Sequence, residues 1–232
     1  MIRVGCAGYP VNRDRYWRAL SFVETDTGKA MPRIATLEAW KADVPEGGEV
    51  ALQALRSITH GPQDSAFPAS ARKLPKNRQI QCGGFRDSLE VHEAWMATKA
   101  AAEAVGAKIV VFETPPSFLP GPDRLRDLYR FFKGASRGKL HFVWHPKSGE
   151  WASLVDKISA ELGLIRAFDP LRQPPPKKGA FLYMRPGVAR GGMLTVDNMA
   201  TIAAAAQGNH GYVVFSHRAS FHDAERLKAG RR

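Results

Sequence analysis

Short apolar runs recur along this chain, each followed by Gly, Pro, Asn or Asp punctuation and then by an amphipathic stretch. That order predicts parallel strands joined by crossover helices. Eight runs qualify: residues 3–6, 21–24, 49–55, 108–112, 140–145, 164–168, 181–185 and 212–216. Most are continuously apolar, as strands covered on both faces are. Eight such units predict an α/β fold, a single TIM-like (β/α)8 barrel, less regular in its first half.

The helical stretches fall between the runs. Val91, Trp95, Thr98, Ala102 and Val105 recur at helical spacing before Gly106, with Asp87 and Glu90 as a capping box at their start. Asp123 is placed to cap a second helix, whose Leu125, Leu128 and Phe132 form one stripe up to Gly134. Trp151, Leu154, Val155, Ile158 and Leu162 form a third, stopped by Gly163. Thr195 opens a helix carrying Val196, Met199, Ala203 and Ala206 and closed by Gly208; a shorter one starts at Asp223, and another covers 33–42. Residues 61–84, rich in Pro, Ser and Lys, and 170–179 read as irregular excursions. Neither is long enough for an interdomain linker, so one barrel domain is expected over 1–232.

Composition excludes some classes. No apolar stretch approaches the ~18 residues of a membrane span. The opening run MIRVGCAGYP lacks the basic start and cleavage site of a signal peptide, so a cytoplasmic location is expected. Cys6 and Cys82, the two cysteines, supply neither a disulfide framework nor a cysteine zinc site. Lys and Arg number 34 against 22 Asp and Glu, a formal charge of +12 that biases the protein toward phosphorylated ligands and nucleic acid. The basic residues are scattered through PASARKLPKNR, LRDLYRFFKGASRGK, RQPPPKK and ERLKAGRR, so charge sets a preference without marking a site. The Gly5-Cys6-Ala7-Gly8 turn lacks dinucleotide-fingerprint spacing and no P-loop is present, so no nucleotide cofactor is expected.

In order, GCAGY follows the first strand, FVETDTG lies on the second, SITHGP follows the third, VFETPPSF lies on the fourth, WHP on the fifth, YMRPG on the seventh and VVFSH on the eighth. This ordered set resembles the YecE-like family, domain of unknown function 72, over nearly the whole chain. The resemblance implies a TIM-like barrel and no established reaction. The chain departs from the family pattern in places. Asp26 stands where Asn is usual, Gln53 where Lys is, Glu113 where Gln is, Phe142 and Trp144 where Glu and Arg are, Gly187 where His is, and Ser216 with His217 where an Asn pair is.

A barrel gathers the carboxyl ends of its strands at one mouth. Glu24, Asp26, Thr59, His60, Glu113, His145, Asp169, Arg185 and His217 fall at or just beyond predicted strand ends. Glu24, Asp26, Glu113 and His145 are the catalytic candidates, and Glu24, Glu113 and Asp169 the candidate ligands for a divalent metal. Arg185, Thr59, His60 and Tyr9 are the candidates for holding substrate or an anion. Each has a plainer reading: Glu24 salt-bridged to Arg185 or Arg56, Asp26 and Asp169 as turn caps, the histidines bonding backbone carbonyls, and His217 with Arg218 at the surface. Cys6 reads as a packed core residue before it reads as a nucleophile.

These residues fit a metal-assisted hydrolase or lyase acting on a phosphate-bearing or nucleic-acid substrate. The alternative is a non-catalytic nucleic-acid-binding or scaffold protein with a degenerate mouth, which the departures on the fifth and seventh strands resemble. A third reading is a metal-free enzyme using Glu24 and Glu113 as a carboxylate pair on a sugar or small acid.

Overall fold

The structure, a computed structural model, describes residues 1–175, 181–188 and 192–230. Eight parallel strands follow one another in chain order around a closed barrel: β1 (Ile2–Ala7), β2 (Phe22–Thr25), β3 (Glu49–Gln53), β4 (Ile109–Thr114), β5 (His141–Pro146), β6 (Ile165–Phe168), β7 (Phe181–Met184) and β8 (His210–Phe215). All eight expected strands are present, most within two residues of their expected ends. The helices are α1 (Arg13–Ala19), α2 (Ile34–Ala42), α3 (Ala69–Arg72), α4 (Lys76–Gln79), α5 (Leu89–Val105), α6 (Pro122–Gly134), α7 (Val155–Leu162), α8 (Val196–Ala206) and α9 (Ser220–Ala229). Among the described residues no helix is long and apolar enough to cross a membrane.

By contacts the chain divides into two compact units, the first of residues 1–25, 42–51 and 167–232, the second of 26–41 and 52–166. In the first unit Gly5 of β1 pairs with Phe22 of β2 and with Val214 of β8. A side chain at Gly5 would run into the Phe22 carbonyl, so glycine is what lets β1 and β2 close. Tyr16 of α1 stitches the same pair: its hydroxyl donates to the Phe22 carbonyl at 2.7 Å and accepts from the Cys6 amide at 2.8 Å. Phe22, Tyr183 and Tyr212 form an aromatic layer, with centroids 4.2 Å apart for Phe22 and Tyr212 and 5.9 Å for Tyr183 and Tyr212.

The second unit is built on aromatic packing. Phe112 of β4 lies 5.2 Å from Phe142 of β5 and 5.1 Å from Phe132 of α6, and Trp95 of α5 lies 5.2 Å from Phe142. Losing one such buried ring costs about 3–5 kcal/mol. Because Phe112, Phe142 and Trp144 face the helices, period-two alternation turns Glu113 and His145 to the opposite face, where their strands pair them directly.

Helix starts depart from expectation where a better cap stands next door. Ser88, not Asp87, caps α5 by accepting from Val91 N at 3.3 Å, and Asp87 instead pairs with Arg130. Gly121 is the cap residue of α6, with Asp123 inside its first turn. Thr195 and Asn198 do form a capping box on α8. The last helix begins at Ser220, which places Asp223 in its first turn. Residues 61–84 hold two one-turn helices, α3 and α4, each preceded by a proline cap residue, around a small cluster of Phe67, Ala71 and Cys82. The expected excursion at 170–179 lies outside the described residues from 176 on, as do Arg231 and Arg232.

Gly5→Ala should cost about 2–3 kcal/mol by overpacking the β1–β2 contact. A urea midpoint equal to that of the parent protein would contradict this account of the glycine.

Candidate functional site

In the first unit Glu24 is fully buried, at 0% exposure. Its Oε1 accepts from Arg185 Nη1 at 2.8 Å and its Oε2 from the Tyr183 hydroxyl at 2.6 Å. Tyr183 and Arg185 are two residues apart, so one strand and its continuation present both partners on one face. Burial, and then the Glu24 charge, push the Tyr183 hydroxyl far above its ordinary pKa, which keeps it a donor. Of the two partners expected for Glu24, Arg185 is the one found.

In the second unit Glu113, at the end of β4, is shared among three nitrogen groups. Arg56 Nη2 lies 3.3 Å from its Oε1; Lys147 Nζ at 3.3 Å and His145 Nδ1 at 3.4 Å approach its Oε2. Arg56, Glu113 and His145 are mostly buried, whereas Lys147 is 41% exposed. Arg56 Nε is buried without a hydrogen-bond partner. Nearby, Thr59 Oγ1 lies 2.8 Å from His60 Nδ1, and both residues are buried. Burial, then the Arg56 charge, lower the His60 pKa to about 4. His60 is therefore neutral at neutral pH and meets an anion only as a hydrogen-bonding ring, not as a cation.

The remaining candidates have other partners or lie at the surface. β2 ends at Thr25, and Asp26 beyond it is exposed while Glu24 is buried. Asp169 caps its own turn, accepting from Leu171 N at 3.0 Å, with Arg172 Nε at 3.5 Å. Tyr9 packs edge-on against Tyr16 and Trp17 under the guanidinium of Arg13, and burial raises its pKa to about 12. Cys6 and Cys82 are free and buried, and burial raises the Cys6 thiol to about 11, in keeping with a core residue.

Two features escaped the sequence. His217 is not at the surface: its Nε2 lies 2.8 Å from Asp223 Oδ2, and Asp223 is fully buried, also receiving Arg226 at 3.0 Å and the Leu194 amide at 3.2 Å. The carboxylate ties together two loops and fixes the imidazole, a pairing between β8 and α9 that no spacing rule announces. Lys147 was overlooked although it stands two residues after His145, on the same alternation.

The donor groups do not fit a resident metal. Among the described residues no three His, Cys, Asp or Glu side chains gather as a ligand set. Of the expected trio, Glu24 is engaged by Arg185 and Tyr183, Glu113 by Arg56 and Lys147, and Asp169 by its own turn.

Strands alternating with helices around a closed eight-strand barrel define an α/β barrel of the TIM class. The chain belongs to the DUF72 family, described as a protein of unknown function, whose profile matches residues 12–159. A DUF72 family protein from Enterococcus faecalis V583 is similar in structure, with 14% identity and a TM-score of 0.68, covering 100% of this chain and 97% of its own. Another, from Thermotoga maritima MSB8, has 12% identity and a TM-score of 0.69, covering 100% and 99%. A xylose isomerase domain protein from Planctomyces limnophilus shares the fold at 12% identity and a TM-score of 0.57, covering 99% and 95%. Among curated proteins none matches the chain.

Arg185→Ala should destabilise the protein by about 3–5 kcal/mol, because it strands the Glu24 carboxylate in the interior. Adding Glu24→Gln should recover part of the loss, and a double variant no more stable than the single one would contradict the pairing. For His60 the proton is favoured in the unfolded chain, whose ordinary value is 6.5, and resisted in the folded state down to about 4. Its contribution is intact above pH 6.5 and lost as pH falls toward 4, by about 3 kcal/mol across that window. Urea midpoints measured from pH 7 down to 4.5 should fall less steeply in His60→Gln than in the parent; parallel curves would remove His60 as the cause.

Proposed function

We propose that this protein binds a phosphate-bearing ligand, with nucleic acid as the class its charge favours, through Arg56 and Lys147 beside His145 in the second unit. The observation that carries the reading is the shared carboxylate: two cations, Arg56 and Lys147, converge on Glu113, the one carboxylate within salt-bridge distance of either among the described residues. One negative charge does not balance two cations, and Arg56 is largely withdrawn from water, so an incoming oxyanion gains more beside it than at an open surface. Lys147, the most exposed member, is free to turn toward such a ligand while Arg56 keeps Glu113 in place. His145 beside them has its Nδ1 3.4 Å from the same carboxylate. A metal-assisted hydrolase needs a ligand set that these donors do not form, whereas binding needs only the cations.

The test is fluorescence anisotropy with labelled single-stranded RNA and DNA at ~50 and ~200 mM salt. Lys147→Ala should weaken binding about 5- to 10-fold and reduce the salt slope by about one phosphate contact. Glu113→Gln, which removes the opposing charge, should leave binding equal or tighter. If Lys147→Ala binds like the parent, or Glu113→Gln binds more weakly, the reading fails.

A further inference from the structure

A second group of cations in the second unit lies at the start of α6. Arg86 and Arg124 are half-buried and line a surface pocket of about 460 Å³, together with Gly121, Asp123, Arg126 and Asp127. The two carboxylates are already used by the third arginine: Arg126 reaches Asp123 at 2.8 Å and Asp127 at 3.5 Å. Among the described residues Arg86 donates to a backbone oxygen, that of Cys82 at 2.7 Å, and Arg124 lies 5.8 Å from the centroid of the Phe118 ring. Neither has a carboxylate within salt-bridge distance among the described residues. The two act on one another as like charges: burial first and then Arg124 lower the Arg86 pKa, with Asp127 acting in the opposite sense. Two guanidinium groups that line one pocket with no carboxylate bonded to either repel each other, and an oxyanion between them relieves that repulsion.

The backbone contributes to the same pocket. No side chain caps α6, and Pro122 at its first turn has no amide hydrogen to satisfy, so the amides of the next residues point out of the helix start uncapped. The arginines are set in place by a turn of unusual conformation. Gly83, Gly84 and Phe85 take successive positive φ values of 83°, 64° and 58°. The space that a side chain on Gly84 would fill is taken by Arg124 Nη1. Arg86 and Arg124 also line a smaller hollow beside Thr59, Asp64 and Ser117.

We propose that Arg86 and Arg124, with the uncapped first turn of α6, form a binding site for a phosphate group. It adds a site to the ligand class proposed above but stands on separate residues. Inorganic phosphate is the first probe, titrated against the full chain by calorimetry, with an oligonucleotide lacking terminal phosphates as competitor.

Phosphate should bind the parent protein, and both Arg124→Gln and Arg86→Gln should weaken it at least about tenfold, roughly one charge-assisted bond each. Arg130→Gln, one to two turns further along α6, should change it less than about twofold, because the dipole effect fades within the first turn. Asp127→Asn should tighten it, which keeps the test alive if an arginine variant misfolds. Displacement of phosphate by the oligonucleotide would assign the site to a phosphodiester strand, and none would assign it to a free or terminal phosphate. No binding to the parent, equal binding to both arginine variants, or weaker binding to Asp127→Asn would overturn the proposal. Loss in Lys147→Ala but not in Arg124→Gln would overturn it while leaving the Glu113 cluster as a phosphate site.

Discussion

A carboxylate shut away from water needs a counter-charge fixed beside it, and the packing around Glu24 is arranged to supply one. Taking two ions out of water costs several kcal/mol each, so such a pair adds little net stability, and its consequence lies in what it dictates about position. Arg185 has to follow β7 at the height of Glu24, and Tyr183 two residues earlier has to keep its proton to satisfy the second oxygen. Beneath them the rings of Phe22, Tyr183 and Tyr212 set the spacing of β2, β7 and β8. Gly5 lets β1 lie against β2 closely enough for that layer to form. A shift of β2 by one residue would turn Glu24 to the opposite face, away from Arg185 and Tyr183.

The second unit uses the same residue type to a different end. Glu113 is 15% exposed in its side chain and is approached by Arg56 and Lys147, whereas Glu24 is sealed and held by Arg185 and Tyr183. Full burial with matched charge makes a structural tie, because neither partner can leave without stranding the other. Partial burial leaves Lys147 in contact with water, which is where the proposed ligand would meet it. The contrast is what the ligand role proposed for the Glu113 cluster rests on, and it leaves Glu24 an architectural part, although both carboxylates looked alike as strand-end acids.

What the sequence disclosed follows from which forces are local. Parallel strands buried on both faces must be apolar throughout, so all eight were visible as runs. The stripe of α6 was visible because Leu128 and Phe132 are both buried on one side. Helix α1 was not, since Tyr16 is its one buried residue and a single position makes no period. The charged partners were harder. That Glu24 needed a cation followed from burial alone, but the choice of Arg185 over Arg56 depends on which strands face each other, a matter of register rather than spacing. His217 looked like a surface residue because its partner, Asp223, comes from the next helix and reads as an ordinary first-turn acid.

Backbone strain is concentrated at Phe85. A non-glycine residue held in the left-handed region costs of order 1–3 kcal/mol and survives only where its surroundings impose it. Here the imposition is explicit. The amides of Gly83, Gly84 and Phe85 donate to the carbonyls of Ser57, Thr59 and Ile58 at 2.8, 3.1 and 2.9 Å, clamping the turn onto the segment that follows β3. The Phe85 ring is anchored among Phe112, Phe118, Phe131 and Phe132. A right-handed Phe85 would release both the ring and the hydrogen bonds, and would move the next residue, Arg86, away from Arg124. The clamp thus links the Thr59–His60 segment, which also carries Arg56, to the paired arginines at the start of α6. The packing of Phe85 and the position of Arg86 beside it are both set by this turn, which holds a conformation that costs free energy.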